Sequence, residues 1–391
     1  MSVTIRKETL PILEREQERF VRFWVGLAEI ESPSARKDCV DKVADYIISF
    51  AKELGFTCRR IPFEKAGDGV VIEYNNGSKE APILLGAHMD TVYDVGEFGD
   101  KPVSLDEQGI LRGPGVLDCK AGIVQALLGM LTLKELGYSE RPVKLILSPD
   151  EEVSTSCSGA PGVAFMLDEG KGGFCEFNLE SGYPDKFTVS RFGILRRTIR
   201  VKGVSAHAGV FYDKGRSAIK EAAYKIVNIE KEAKLDCMTF NCGTIKGGTV
   251  TNVVPEFCEF GIDIRVKTPE DAAVADAILQ REAAKSYVGD TTAEIIRVSD
   301  RPTMPFDEHI GKLAELYNEC HQALKGEKLN FFHTRGGSDA AYFTKAGVPA
   351  IDSLAPIGGM AHTKEEWVDT KTLVSRTDLV LQTIFNLPKS L

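Results

Sequence analysis

The sequence lacks an excess of basic residues: 48 lysines and arginines stand against 57 aspartates and glutamates, a formal net charge of -9 at pH 7. Nucleic acid and anionic membranes are therefore not expected as partners, because binding them requires positive charge that neutralises phosphates. No stretch is long and apolar enough for a transmembrane helix, and the first twenty residues lack the apolar core of a signal peptide. We therefore expect a cytoplasmic protein.

Cysteines in paired spacing are also absent. The nine cysteines are odd in number, lie scattered between Cys39 and Cys320, and include no C-x-x-C pair. This pattern favours free thiols in a reducing compartment over a disulfide framework.

Hydrophobic periodicity divides the chain into two patterns. At 391 residues, the chain exceeds the size at which a single hydrophobic core is usual. Residues 1–186 alternate helical and short apolar strand patterns, and the same alternation resumes over residues 302–391, which predicts an α/β domain with a mainly parallel sheet flanked by helices. Residues 187–301 follow the order β-α-β-β-α-β, which predicts an inserted ferredoxin-like α+β domain.

Polar residues follow several predicted strands, where ligand sites of open α/β sheets form. His88 and Asp90 come after the strand pattern of residues 82–85, and a metal-bound imidazole usually needs a carboxylate to fix its tautomer. Glu151 and Glu152 follow a second strand pattern in the same way. The remaining candidates are Asp118 in a glycine-rich run, Glu180 after a third strand, and His362 in a glycine-rich loop.

Each candidate has a plainer interpretation when taken alone. His88 could lie in a solvated turn, Asp118 could be a helix N-cap, and the acidic run 150–152 could be a solvated loop. Together, however, two imidazoles and several carboxylates at strand ends form a ligand set that zinc accepts, with cobalt or manganese as substitutes. The combination therefore predicts a metal site.

The order and spacing of these residues resemble one family. The motifs are His88-x-Asp90, Gly115-x-x-Asp118-x-Lys120-x-Gly122, Glu151-Glu152, Glu180 and His362. They are similar to those of the co-catalytic zinc peptidases that include glutamate carboxypeptidase, acetylornithine deacetylase, succinyl-diaminopimelate desuccinylase and aminoacylase. The resemblance covers nearly the whole chain. It is closest to the bacterial glutamate carboxypeptidase branch, whose C-terminal pattern is echoed by residues 336–342 and 362–368.

The resemblance implies a zinc-exopeptidase-like fold with two Zn²⁺ per subunit, for which Co²⁺ or Mn²⁺ could substitute. His88 and Glu180 would bind one ion, and Glu152 and His362 would bind the other. Asp118 would bridge both ions, and the peptide bond that follows this aspartate is often cis in relatives.

Further catalytic roles are implied by the same resemblance. Asp90 would orient His88, and Glu151 would be the general base that takes a proton from the attacking water. The segment 204–209 matches the lid histidine of the family, so His207 would stabilise the developing oxyanion across a homodimer interface formed by the inserted domain. Without the resemblance, His207 would be interpreted as a surface histidine.

Substrate-binding residues are implied on the inserted domain and beside it. Asn252 matches a family asparagine near the substrate, and Gly337 lies in a glycine loop next to Arg335, which could add specificity. We expect Arg301 first, and Arg265 second, to hold a C-terminal carboxylate, because a guanidinium donates two parallel hydrogen bonds to it. Each arginine could instead form a surface salt bridge.

The leading hypothesis is metal-dependent hydrolysis of a peptide or amide bond next to a C-terminal amino acid with a free carboxylate. A metal-bound hydroxide would attack the carbonyl of a small peptide or an N-acyl amino acid. One alternative keeps the site but deacylates N-acetyl or N-succinyl metabolites. The other is an inactive relative that only binds amino acids, against which the presence of Glu151 and all five metal-binding candidates argues.

Overall fold

The computed structural model describes residues 3–391, which form two compact units. The first unit comprises the chain up to Ser190 together with Phe306–Thr334 and Ser338–Leu391. The second comprises Arg191–Pro305 and Arg335–Gly337. All nine cysteines are free thiols. Over the described residues, none of the helices has the length and apolar character needed to cross a membrane.

The described residues form both α-helices and β-strands along the chain. In chain order the helices are α1 (Thr9–Ala28), α2 (Lys37–Glu53), α3 (Lys120–Glu135), α4 (Gly159–Gly170), α5 (Ala218–Glu230), α6 (Pro269–Ala284), α7 (Glu308–Lys325), α8 (Ala340–Lys345) and α9 (Thr372–Phe385). The strands are β1 (Thr57–Ile61), β2 (Gly69–Tyr74), β3 (Ile83–His88), β4 (Ser104–Leu105), β5 (Ile110–Arg112), β6 (Val143–Ser148), β7 (Cys175–Asn178), β8 (Lys186–Arg191), β9 (Gly193–Lys202), β10 (Ala206–His207), β11 (Met238–Gly247), β12 (Val253–Val254), β13 (Phe257–Val266), β14 (Thr292–Arg301), β15 (Asn330–Thr334), β16 (Ala350–Ile351), β17 (Gly358–Gly359) and β18 (Trp367–Asp369).

A six-stranded sheet forms the centre of the first unit, in the order β1-β2-β6-β3-β7-β16. Strands β6, β3, β7 and β16 are parallel to one another, whereas β2 pairs antiparallel with both β6 and β1 at one edge. Every residue of β3 is buried, as expected for a parallel strand covered on both faces. The predicted α/β class with a mainly parallel sheet is confirmed.

Helix α3 lies in the middle of the first core. Every residue from Lys120 to Leu133 is buried, because α1, α9 and the sheet surround the helix. By contrast, α1 is amphipathic and buries a single stripe, which includes Leu13, Phe20, Trp24 and Leu27.

Two glycines of α3 have opposite surroundings, which predicts opposite effects of alanine. A Cβ at Gly129 would lie 3.6 Å from Thr377 Cγ2 and 3.8 Å from Leu381 Cδ2, both ordinary contacts. We expect Gly129→Ala to raise the free energy of unfolding by about 0.4–1 kcal/mol, since alanine costs less backbone entropy on folding. A Cβ at Gly122 would lie 2.1 Å from the Leu179 carbonyl oxygen, so the matched variant Gly122→Ala should be destabilising. Chemical denaturation of both variants checks the prediction; a stability loss in Gly129→Ala would contradict it.

The second unit has a four-stranded antiparallel sheet in the order β11-β13-β9-β14. Helices α5 and α6 pack against it, so the elements follow the predicted β-α-β-β-α-β order of a ferredoxin-like fold. Strand β13 alternates buried and less buried residues along its length, as its sequence pattern indicates. The core contains Ile199, Ala222, Phe260, Ile264, Ala275 and Leu279.

A buried ion pair joins the two helices of the second unit. Lys225 and Glu221, one turn apart on α5, are fully buried, with Nζ 2.9 Å from Oε1. Lys225 also donates to the carbonyl oxygens of Glu282 and Lys285 at the end of α6, each at 2.6 Å. Glu221 Oε2 accepts from the backbone of the segment after α6, at residues 287 and 288. The pair therefore satisfies carbonyl groups that a helix end leaves without helical partners.

The sequence patterns missed some elements of the first unit. Helix α4 and the four-stranded sheet β17-β18-β5-β4 were not expected. Strand β3 also extends beyond the predicted end at Leu85, through Gly86 to His88. The extension arises because His88 pairs in register with Ser148 of the parallel strand β6. His88 is thus the last residue of a strand, and not a residue of the loop after it.

Candidate metal centre

Three parallel strands bring candidate residues to one edge of the large sheet. His88 ends β3, Glu151 and Glu152 follow β6, and Glu180 comes two residues after β7. These strands are neighbours in the order β6-β3-β7, so their carboxyl ends meet. His88 Nε2 lies 3.8 Å from Glu180 Oε1.

Asp118 reaches this edge from the loop between β5 and α3. The loop turns through Gly113 and Gly115, whose φ angles are +153° and +68°. The peptide bond between Asp118 and Cys119 is cis. Asp118 Oδ1 lies 3.1 Å from His88 Nε2, and Oδ2 lies 3.3 Å from His362 Nε2. One carboxylate thus faces both histidines.

His362 lies between β17 and β18 in the left-handed region, with φ +63°. Its Nε2 is 3.2 Å from Glu152 Oε2, and its side chain is 54% exposed, whereas that of His88 is 1% exposed. The structure therefore brings together all five residues that the sequence predicts as metal ligands, with one histidine buried and the other near solvent.

Asp90 connects His88 to the segment after β6. Its Oδ1 lies 3.2 Å from His88 Nδ1 and accepts from the Glu151 amide at 3.0 Å. Its Oδ2 accepts from the Glu152 amide at 3.1 Å and from the Ser34 hydroxyl at 2.6 Å. Asp90 therefore holds the imidazole and also the backbone of the acidic pair, a second task that the sequence did not reveal.

Glu366 is a further buried carboxylate at this edge, and sequence reasoning assigned it no role. Its Oε1 accepts from the amides of Leu117 at 2.9 Å and Asp118 at 3.0 Å. Its Oε2 accepts from the Gly115 amide at 3.2 Å and from the Tyr93 hydroxyl at 2.8 Å. Glu366 lies four residues after His362, so it links the histidine loop to the Asp118 loop.

Burial of several carboxylates close together is the electrostatically unfavourable part of this arrangement. Burial raises the pKa of Glu152 to about 7 and that of Glu180 well above its usual value. Burial would also raise the pKa of Asp118, but contacts with His362 and His88 outweigh burial and lower it. Hydrogen bonds to Asp118 and Glu152 raise the pKa of His362 to about 11. The cluster therefore favours positive charge near its carboxylates.

The donor atoms fit divalent metal ions in two groups. The first group consists of His88, Asp118, Cys119 and Glu180, and the second of Asp118, Glu152 and His362; within each group the donor atoms lie within 4.8 Å of one another. Asp118 belongs to both. Imidazole nitrogens with carboxylate oxygens are ligands that zinc and similar ions accept. Cys119, whose thiol donates to the Leu179 carbonyl oxygen at 3.0 Å, is a donor that the sequence analysis missed.

The second unit holds the predicted residue His207 at the start of an exposed loop. His207 Nδ1 accepts from the amides of Gly209 and Val210, each at 3.2 Å. His207 pairs with Val253 of β12, next to the exposed Asn252, whose carbonyl oxygen accepts from the Ala208 amide at 2.9 Å. His207 and Asn252 therefore share one loop cluster.

The predicted arginines of the second unit lie around the segment 335–337. Arg301 is 3% exposed, and a Cβ at Gly337 would lie 2.9 Å from its Cδ, so a side chain at position 337 would require Arg301 to shift. Arg265 Nη1 donates to the Arg335 carbonyl oxygen at 3.3 Å, but Nε and Nη2 face the two carboxylate oxygens of Asp263. Arg265 thus forms the salt bridge weighed as its alternative role.

Comparison with known proteins supplies independent findings. A family profile described as peptidase family M20/M25/M40 matches residues 84–386. Carboxypeptidase G2 from Pseudomonas sp. (strain RS-16) is 27% identical over 388 residues, 95% of this chain and 90% of the relative. A tripeptidase structure from Staphylococcus aureus has a TM-score of 0.76 at 19% identity, covering 94% of this chain and 97% of its own. An M20 family metallo-carboxypeptidase from Sulfolobus solfataricus has a TM-score of 0.75 at 15% identity, covering 94% and 99%.

Proposed function

The chain belongs to peptidase family M20/M25/M40, a family of metal-dependent peptidases, and we propose that it hydrolyses the peptide or amide bond next to a C-terminal amino acid with a free carboxylate. One observation carries the proposal: two groups of donor atoms share Asp118 at the edge of the sheet. A relative that aligns with nearly the whole chain is named a carboxypeptidase. This name supports the proposal that the cleaved bond lies next to the C-terminal amino acid.

Two Zn²⁺ ions per subunit fit this donor set, and Co²⁺ or Mn²⁺ could replace them. His88 and Glu180 would hold one ion, Glu152 and His362 the other, with Asp118 between them. When bound, a pair of such ions polarises the substrate carbonyl and lowers the pKa of water. The buried carboxylates would then be neutralised, which removes the cost that their raised pKa values indicate.

Glu151 would move the proton in this reaction. It is 7% exposed, and its backbone is fixed by Asp90 beside both donor groups, of which it is not a member. Glu151 would accept the proton of the attacking water and pass it to the leaving amine. Asp90 would position His88 and the acidic pair.

The second unit would bind the substrate. Arg301 would hold the C-terminal carboxylate, with Gly337 keeping space beside it and Asn252 near the substrate; Arg265, already engaged by Asp263, is a weaker candidate. His207 would stabilise the developing oxyanion of the neighbouring subunit in a homodimer formed through this unit. The exposed position of His207 is compatible with a contact of that kind.

A substrate panel with metal replacement tests the proposal. Metal-free protein should be inactive, and added Zn²⁺ or Co²⁺ should restore hydrolysis of dipeptides and N-acyl amino acids that end in a free carboxylate. The same substrates with a C-terminal carboxamide are the matched controls and should be cleaved at least about tenfold more slowly, since a charged hydrogen bond is worth roughly 1.5–3 kcal/mol. Preference for N-acetyl or N-succinyl substrates over peptides would favour a deacylase. Binding of amino acids without turnover would favour an inactive relative.

A further inference from the structure

The side chain of Glu366 joins two loops that come from distant parts of the sequence. Its four hydrogen-bond partners are the amides of Gly115, Leu117 and Asp118 and the hydroxyl of Tyr93. The amides belong to the loop before α3, about 250 residues away along the chain, and the pairing of β18 with β5 brings the two segments together. Glu366 is fully buried, so water cannot replace these contacts.

The contacts use the full capacity of a carboxylate. An ionised carboxylate only accepts hydrogen bonds, and here each of its oxygens faces two donors. A glutamine of the same shape would turn an NH₂ group toward either the Leu117 and Asp118 amides or the Gly115 amide and Tyr93. Buried donors would then face a donor, and leaving a buried donor without an acceptor is unfavourable.

The two donor groups share Asp118, but their other members depend on the hydrogen bonds of Glu366 to different degrees. His88 and Glu180 lie at or just after buried strands of the sheet, which hold them without Glu366. His362 is half-exposed on a loop. The carbonyl oxygen of the next residue, Thr363, lies 2.9 Å from the Tyr93 hydroxyl. Tyr93 in turn contacts Glu366, so one buried cluster anchors both the His362 loop and the backbone of Asp118.

We propose that Glu366 is a positioning residue, whose carboxylate sets the distance between the Asp118 and His362 loops and so forms the second donor group of Asp118, Glu152 and His362. The inference rests on the proposed metal centre. Its consequence is an asymmetry between the two groups. Loss of the carboxylate weakens binding of the ion at the second group far more than binding of the ion at His88 and Glu180.

Calorimetric titration of metal-free protein with Zn²⁺ alone tests the asymmetry. Glu366→Gln should weaken the Zn²⁺-binding step that is assigned to the second group, whichever of the two steps this is. The affinity of that step should fall by about 10–100-fold, the usual effect of losing a partner that orients a ligand. The assignment comes from His362→Ala, which should remove the same step. Glu365→Gln, at the exposed neighbouring position, is the matched control and should bind as wild type does. Tyr93→Phe removes one of the four partners and should weaken the same step less.

Hydrogen exchange of the metal-free protein supplies a readout that needs no ion. The amides of Leu117 and Asp118 should exchange faster in Glu366→Gln, while those of β6 keep their protection. Unchanged hydrogen exchange together with unchanged titrations would overturn the inference. Equal weakening of both binding steps together with lower global stability would also overturn it, because that result indicates only a structural role. If wild-type protein bound no Zn²⁺, the proposed function would fail, and the inference with it. That failure appears in wild type, so it differs from a failure confined to the variants.

Discussion

Replacement of Glu151 by glutamine is expected to lower turnover by about 10²–10⁴-fold, the usual contribution of a general base. Zn²⁺ binding should stay close to that of wild type, because Glu151 belongs to neither donor group. The amide keeps the size of the side chain and leaves the backbone contact of residue 151 with Asp90 intact. The substitution removes the negative charge and, with it, the ability to accept a proton.

The neighbouring position gives the matched comparison. Glu152 lies in the second donor group, with Oε2 3.2 Å from His362 Nε2, so Glu152→Gln should lose metal affinity as well as turnover. Steady-state rates and metal content, measured on the same two samples, separate a base from a ligand. The assignment of Glu151 would be wrong if its glutamine variant kept a wild-type rate, or if it lost metal as Glu152→Gln does.

Lys225→Met is expected to destabilise the second unit by about 3–5 kcal/mol, the usual cost of removing one partner of a buried ion pair. Without the ammonium group, Glu221 keeps a buried negative charge, and the carbonyl groups of Glu282 and Lys285 lose their donor. Lys220→Met, on the exposed side of the same helix, is the control and should change stability by less than about 0.5 kcal/mol.

The measurement must report on the second unit itself. Both tryptophans, Trp24 and Trp367, lie in the first unit, so their fluorescence does not follow unfolding of the second. Hydrogen exchange of β13 amides gives the local free energy of opening. The double variant Glu221→Leu with Lys225→Met should recover part of the loss, since no charge remains buried. A Lys225→Met protein with β13 protection equal to that of Lys220→Met would contradict the role of the pair.

Local patterns predicted the elements whose side chains repeat regularly. Strand β13 (Phe257–Val266) is one of these, because alternating burial leaves a clear period of two in its sequence. Helix α4 was missed because glycines and Pro161 interrupt its sequence, and the strands β4, β5, β17 and β18 were missed because two or three residues are too few to show a period.

The residues of the candidate site also differ in whether a local sequence pattern or only a distant contact identifies them. His88, Asp118, Glu152, Glu180 and His362 were found from motifs, and the structure places them together. The amide partners of Glu366 lie 248 to 251 residues away and Tyr93 lies 273 residues away, so no pattern around Glu366 could reveal them. Asp263, which pairs with Arg265, is its neighbour on the same face of the strand. The sequence shows that these two charges are near each other. Whether they pair, or whether the arginine stays available to bind a ligand, depends on how the side chains are arranged in the folded protein.

The position of His362 in the chain has a consequence for biosynthesis. Four of the five proposed ligands precede residue 181, whereas His362 follows the whole segment Arg191–Pro305. A ribosome therefore releases most of the ligands long before the last one and before Glu366. A nascent chain, or a fragment cut at Pro305, could offer zinc only an incomplete shell, so maturation of a working enzyme would have to wait for the C-terminal part of the polypeptide.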